Sequence, residues 1–501
     1  MVSAFGRRAG GVLAIVVLVV APRLVHAQDS ATARVAIPSS HARIGFEQIR
    51  FPGDGPRVGV VGTSYLIDVG GVPGLALGPA VYGAISGDHG GFFSLGGEVA
   101  WRHRLVGPVG VELGLYAGGG GGGGAPTGSG LTLRPHVDLV WDLGAVAVGA
   151  SFSKVRFSGG QIDSNQVGLV VNVNSDFRFI PAERLGEPTP GGGRSGLGFD
   201  RVQFIGAAYR TPEGKTLNDG TPLPRTISTV GVRAERSFAG NAFWGLEANR
   251  AAHGGVGGYA EYLGTAGFEG EAVRDLLTVG ARAGVGMAGG GGVSTGGGLL
   301  VKGGVYGIVR LGNDFGLSLE GGYARAPDGN FRAAQASIGV VWALDGPSTS
   351  GPAARPARTD FSAGGERYDA PRSDGSERAL GMVALKLDRY LTPNFYITGK
   401  VLSATSGGAS GYTSALVGAG WMQPLGSRFH VGAELLAGAA GGGGVVGDGA
   451  LVEPRVFVGV QITPTLALRA GAGRIKAIDG QLNSNVFDLS ISLAYGVSSG
   501  H

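Results

Sequence analysis

The chain has 501 residues, 43% hydrophobic and 16% charged, with 100 glycines, no cysteine and a formal net charge of +4. The charge content excludes a charged disordered tail, and the small net charge gives no reason to expect nucleic acid or an acidic partner. Without cysteine there is no disulfide framework, thiolate metal site or lipid-modified cysteine, and glycine at about three times ordinary usage argues against long amphipathic helices.

Residues 1–27 read as a secretory signal. Arg7 and Arg8 form a positive start, Val12–Ala21 an apolar core, and Val25-His26-Ala27 a small-residue cleavage site before Gln28. The apolar core is too short to cross a bilayer as a helix, and Ala9, Gly10 and Gly11 after the arginine pair do not support a twin-arginine route. Beyond it lies no run of about 18 apolar residues, so no transmembrane helix is predicted. Export without cysteine fits a periplasmic or outer-membrane destination.

After a short segment, 28–39, the sequence repeats itself. Glycine clusters recur at Leu115–Gly124, Val285–Gly292 and Leu435–Gly444. Each precedes a strand-like segment (from Leu131, Leu299 and Ala450) and then a second signature, from Val155, Ala324 and Ile475. Upstream, a glycine-aromatic step recurs at Gly91-Phe92, Gly258-Tyr259 and Gly411-Tyr412. Gly160, Gly329 and Gly480 give copy-to-copy offsets of 169 and 151 residues. The glycines follow no G-X-Y period, which excludes collagen. We place β repeats at 40–186, 199–345 and 359–495, linkers at 187–198 and 346–358, and a tail at 496–501.

Within each copy the pattern has period two. Leu277, Val279, Ala281, Ala283, Val285 and Met287 share one face; Thr278, Gly280, Arg282, Gly284 and Gly286 share the other. Val109–Ala117 and Phe429–Ala437 behave alike, which means strands with one apolar and one small or polar face. Each copy holds seven clear strands and a weaker one at its start (Ile44–Phe51, Phe199–Arg210, Phe361–Tyr368), about 24 in all. Short turns such as Leu311–Phe315 and Ile462–Leu466 alternate with longer glycine-bearing loops, which puts both termini and both linkers on the short-turn side.

These strands and turns resemble the outer-membrane β-barrel proteins of Gram-negative bacteria over residues of about 40 to 495. The resemblance implies an all-β, antiparallel transmembrane barrel, short turns in the periplasm, and insertion by the barrel assembly machinery. The expected form is one barrel of about 24 strands; the alternative is three tandem barrels of eight. The single barrel is favoured because inward glycines (Gly110, Gly114, Gly280, Gly284, Gly286) would leave voids in a narrow one. Against it, the linkers are long and fall at copy boundaries. The usual closing strand ends on an aromatic residue. Here Val486–Tyr495 alternates correctly, but Gly496–His501 follows it. Pro135 and Pro454, at one repeat position inside strands, are read as lying at the extracellular strand end, where a bulge or fraying is tolerable.

Trp101, Phe268 and Trp421 occupy one repeat position beside a short turn, and are read as the periplasmic aromatic girdle rather than soluble-core packing. Phe92, Tyr259 and Tyr412 have the opposite parity and should face the lumen. Arg156, Arg325 and Lys476 hold a cation at a lipid-facing position near the opposite rim. They are candidates for contact with lipopolysaccharide phosphates, weighed against a solvated strand end or balance with Asp328 and Asp479. The lumen face carries Glu98, Glu112, Arg134 and Asp138, then Arg282, Lys302 and Glu320, then Glu434, Glu453, Arg455 and Arg469. These line an aqueous pore or form a buried ion-pair network.

No Lys-Ser/Thr pair and no helix follows a glycine cluster, so the clusters read as loops or curved strand ends, not phosphate loops. A membrane hydrolase would use His89 beside Asp88, or His253, but the third copy has only Ser406–Gly408 there, so no enzyme is expected. Neither cofactor nor metal is expected. The leading function is a passive channel or export conduit for small solutes or polymer. The alternatives are a non-conducting structural or surface-interaction barrel presenting glycine-rich loops, and a soluble six-bladed propeller, whose blade motifs are missing.

Overall fold

The computed structural model describes residues 36–53, 57–187, 195–312, 314–344, 356–446, 449–478 and 480–498. The expected signal, 1–27, the second linker up to Arg355, and Asp479 lie outside them.

The strand faces are inverted relative to a soluble protein. In Leu131–Asp142, Arg134, His136 and Asp138 are buried while Val137, Leu139 and Trp141 are exposed. Phe315–Arg325 repeats this, with Ser318 and Glu320 inside and Leu317, Leu319 and Tyr323 outside. Apolar exteriors over charged interiors are stable only where the surroundings are lipid, and in lipid a sheet must close so that no backbone group is left unpaired. All the strands pair antiparallel. This is the architecture of a membrane-spanning β-barrel.

Closure happens three times, not once. The first barrel comprises β1 (Ser39–Ile49), β2 (Val58–Asp68), β3 (Leu75–Ser86), β4 (Phe93–Val106), β5 (Val109–Gly121), β6 (Leu131–Asp142), β7 (Val146–Phe157) and β8 (Asp163–Asp176). A two-residue strand, β9 (Ile180–Pro181), follows. The second barrel comprises β10 (Arg201–Arg210), β11 (Thr226–Ala239), β12 (Ala242–His253), β13 (Ala260–Val273), β14 (Leu277–Gly289), β15 (Leu299–Arg310), β16 (Phe315–Arg325) and β17 (Arg332–Ala343). The third comprises β18 (Pro356–Pro371), β19 (Glu377–Tyr390), β20 (Phe395–Ser406), β21 (Thr413–Leu425), β22 (Phe429–Gly441), β23 (Gly449–Gln461), β24 (Leu466–Ala477) and β25 (Asn483–Ser498). The seams join β1 to β8 (Ala42 opposite Val173), β10 to β17 (Phe204 opposite Val340) and β18 to β25 (Phe361 opposite Leu493).

The expected single barrel of about 24 strands is therefore not formed, and the three-barrel alternative holds. The argument from voids failed for a definite reason: neighbouring atoms occupy the space above most inward glycines, large rings at Gly114 and Gly280, and the backbone or side chains of the adjacent strand at Gly284 and Gly286. A Cβ on Gly114 would come within 2.1 Å of the His136 ring, and one on Gly280 within 2.6 Å of Tyr306. Missing side chains on one strand are thus the space into which the neighbouring strand's rings fold, and interior density is kept.

Two further expectations change. Pro135 is the fifth residue of β6, and Pro454 lies well inside β23. The β6–β7 ladder lapses between Leu133↔Arg156 and His136↔Ser153, then resumes in the same register, so no bulge forms. The β23–β24 ladder lapses likewise between Val452↔Lys476 and Arg455↔Gly473. Each proline's missing donor costs one local opening. Tyr495 also does not end its strand: β25 continues to Ser498, and β9 pairs with the overhang through Tyr495↔Pro181 and Gly496↔Ile180. The exit of the first barrel is thereby tied to the third.

Candidate functional site: the barrel interiors and the axis between them

Inward charges from facing strands meet in each barrel. In the first, Arg43 on β1 donates to Asp138 on β6 at 2.6 and 3.1 Å. Arg134 makes a fork to Glu47 at 2.9 and 2.8 Å, and Tyr82 donates to Glu98 at 2.8 Å. In the second, Arg233 bridges Glu247 at 2.7 Å and Glu320 at 3.0 Å, Lys302 meets Glu247 at 2.6 Å, and Arg282 pairs with Glu235. In the third, Lys400 joins Glu453 at 2.7 Å and also pairs with Glu366, Arg455 lies 3.3 Å from Glu434, and Arg469 donates to Asp388 at 2.9 Å.

All the proposed lumen charges, Glu98, Glu112, Arg134, Asp138, Arg282, Lys302, Glu320, Glu434, Glu453, Arg455 and Arg469, lie buried inside the barrels. Of the two interiors considered, the structure shows the ion-pair network. Desolvating a charge is tolerable only when partners surround it, and the forked and bridged geometry supplies them. Their partners Arg43, Glu47, Glu235, Glu247, Glu366, Asp388 and Lys400 were missed. Arg43, Glu47 and Glu366 lie on the first strand of a copy, where strand assignment was weakest, whereas Glu235 and Asp388 lie on second strands and Glu247 and Lys400 on third strands. Parity could have found some of them: in the first strand Arg43, Gly45 and Glu47 alternate with Ile44 and Phe46.

Nearer the loop end the interiors turn aromatic. Phe92, Tyr259 and Tyr412, the aromatic halves of the glycine-aromatic steps, are buried as their parity required. Phe92 packs with Phe157, Tyr259 with Phe331, and Tyr368 donates to Tyr412 at 2.9 Å. Outside the strands, Asp219 and Asp374 are held below the usual carboxylate range by hydroxyl and backbone donors of Thr221 and Ser376.

Trp101, Phe268 and Trp421 project from the barrel exteriors, 38%, 71% and 38% exposed, and Trp101 stacks on His103. Arg156, Arg325 and Lys476 also face outward, near the loop end. They sit on three different barrels and do not converge. His89 Nδ1 donates to Gly123 O at 2.7 Å, and its ring packs against Phe51. Glu98, Glu112 and His136 bring ligand atoms within 4.8 Å of one another, a composition that could hold a metal. Glu112, however, already faces Arg102 at 3.1 Å and Arg43 at 3.8 Å, and these cations would repel a divalent ion.

The glycine clusters join the barrels to one another. Gly91 of the first barrel sits on Gly289 and Gly290 of the second, where an added Cβ would lie 2.2 Å from Gly290 N. Gly258 of the second sits on Gly441 and Gly442 of the third, and Gly411 of the third on Gly121 and Gly122 of the first. The contacts run in a cycle, step onto cluster, around a pseudo-threefold axis at the loop end. Gly91 and Gly290 have φ of +91° and +94°, so both space and backbone demand glycine. Polar bonds flank the contacts: Gly90 N to Gly296 O at 2.8 Å, Thr127 to Ser410 at 2.5 Å, and Arg250 to Gly441 O at 3.0 Å. Phe93 meets Tyr262 edge-on at 5.1 Å between the first two barrels.

No family model matches the chain, and no curated protein does. Among solved structures it is similar to Neisserial surface protein A (15% identity, 27% of this chain and 95% of that one, TM-score 0.22). It is similar also to the siderophore receptor PirA from Acinetobacter baumannii (9%, 93% and 81%, 0.28) and to OpdQ from Pseudomonas aeruginosa (9%, 92% and 97%, 0.22). TM-scores this low carry no weight. The barrel architecture rests on the strand register and the inverted faces.

Proposed function

We propose that the protein is a non-conducting outer-membrane assembly whose three sealed barrels hold a rigid platform of glycine-rich loops at the cell surface. The observation behind this reading is the occupied interior: charges of opposite sign bridge each barrel across its width, beneath a layer of packed aromatic rings. Eight strands leave an interior that side chains fill. Insertion would use the barrel assembly machinery. Arg156, Arg325 and Lys476 would face lipopolysaccharide phosphates at the outer rim, with Trp101, Phe268 and Trp421 at the inner one. No catalytic role is assigned.

Planar-bilayer recording tests the reading. Purified protein should insert without stepwise conductance. Reproducible open steps in the wild-type chain would instead establish a channel. That second reading, a conduit for small solutes, is favoured by the presence of both charge signs in every interior, because parting one network would leave a polar path.

A further inference from the structure

Towards the short-turn end from their glycine contacts, the three barrels leave a cavity of about 1180 Å³ between them. All three contribute to its wall: Ile67 and Leu77 from the first, Phe204 and Val232 from the second, Leu387 and Ile397 from the third. These side chains lie on barrel exteriors, so the cavity is distinct from the charged interiors. Above it, the cycle of glycine contacts brings backbone against backbone.

We infer that this cavity binds the acyl chains of a diacyl glycerophospholipid that enters from the periplasmic leaflet. The inference rests on the membrane placement but not on the absence of conductance. Protein interiors keep few voids larger than a water molecule, and an apolar cavity does not hold water. A cavity of about 150 Å³ is enough for benzene; this one is several times larger, the scale of lipid chains. The wall gives water few partners, and the closed loop end bars the outer leaflet. Charge at the mouth selects the head group. Arg184 and Arg389 line it beside Glu183 and Asp68, a mixed set that matches a phosphate diester carrying an ammonium. Part of the mouth is built by the segment after β8, which β9 pins to β25.

The test uses the full chain purified in mild detergent and exchanged extensively against lipid-free detergent, with bound lipid identified by native mass spectrometry. Phospholipid should persist at a fixed stoichiometry per chain. Gly399→Phe combined with Ala234→Phe should abolish it, since both residues line the cavity and a Cβ on Gly399 meets nothing within 4 Å. Arg184→Gln with Arg389→Gln should weaken retention by about tenfold, through the loss of charge-assisted hydrogen bonds. Unchanged phospholipid in a filled variant with wild-type heat-modifiable mobility would overturn the assignment. So would lipopolysaccharide, or detergent alone, on the wild-type chain. If the filled variant does not fold, titration of the stripped wild-type chain with phosphatidylethanolamine decides: saturable adducts support the site, and none refutes it. Fractionation and conductance report on membrane placement and function separately.

Discussion

A glycine in this protein answers to what lies opposite it. Gly114 accommodates a histidine ring within its own barrel, whereas Gly91 and Gly290 accommodate another barrel's backbone. Gly91→Val should therefore leave each barrel closed but loosen the joint. Overpacking there costs about 1–3 kcal/mol. Thermal melting in detergent should show an earlier transition while heat-modifiable mobility is kept, and an unchanged melting profile would remove the joint from the account. The interior charges behave differently because each is held by its partners. Arg43→Met should cost the first barrel about 3–5 kcal/mol by stranding Asp138 without its fork. Adding Asp138→Leu should recover much of that loss in urea unfolding. Additive losses would show that the pair does not act as a unit.

At the level of strands, parity was legible and pairing was not. Alternation along β14 was read correctly residue by residue, because period two is a local property of an extended chain. The same logic placed Phe92, Tyr259 and Tyr412 inside. It could not show that the ladder lapses beside Pro135, since that depends on which side of β6 the missing donor faces. Pro135→Val should restore that donor and lengthen amide-exchange protection in β6 and β7, with a gain of about 0.5–1.5 kcal/mol. If exchange there stays as fast as in the parent, the opening has another cause.

For the whole molecule, each seam pairs the first strand of a copy with the last strand of the same copy. A single copy therefore has no open edge. Residues 356–501 expressed alone should refold into a monomeric, heat-modifiable barrel, less stable than in the full chain for want of β9 and the glycine joint. Aggregation of that fragment under conditions where the full chain refolds would show that closure needs the neighbouring copies.

Composition, the threefold repeat and period-two alternation were enough to specify an all-β membrane barrel protein with charged interiors, because each is a property of short stretches of chain. The number of barrels was not. The last strand of a copy can meet its own first strand or the first strand of the next copy with the same alternation, and only cross-strand fit, glycine beneath ring and cation against acid, decides between them. The use of the glycine clusters was hidden for the same reason. Their partners lie on another copy, brought within contact only after each barrel has closed.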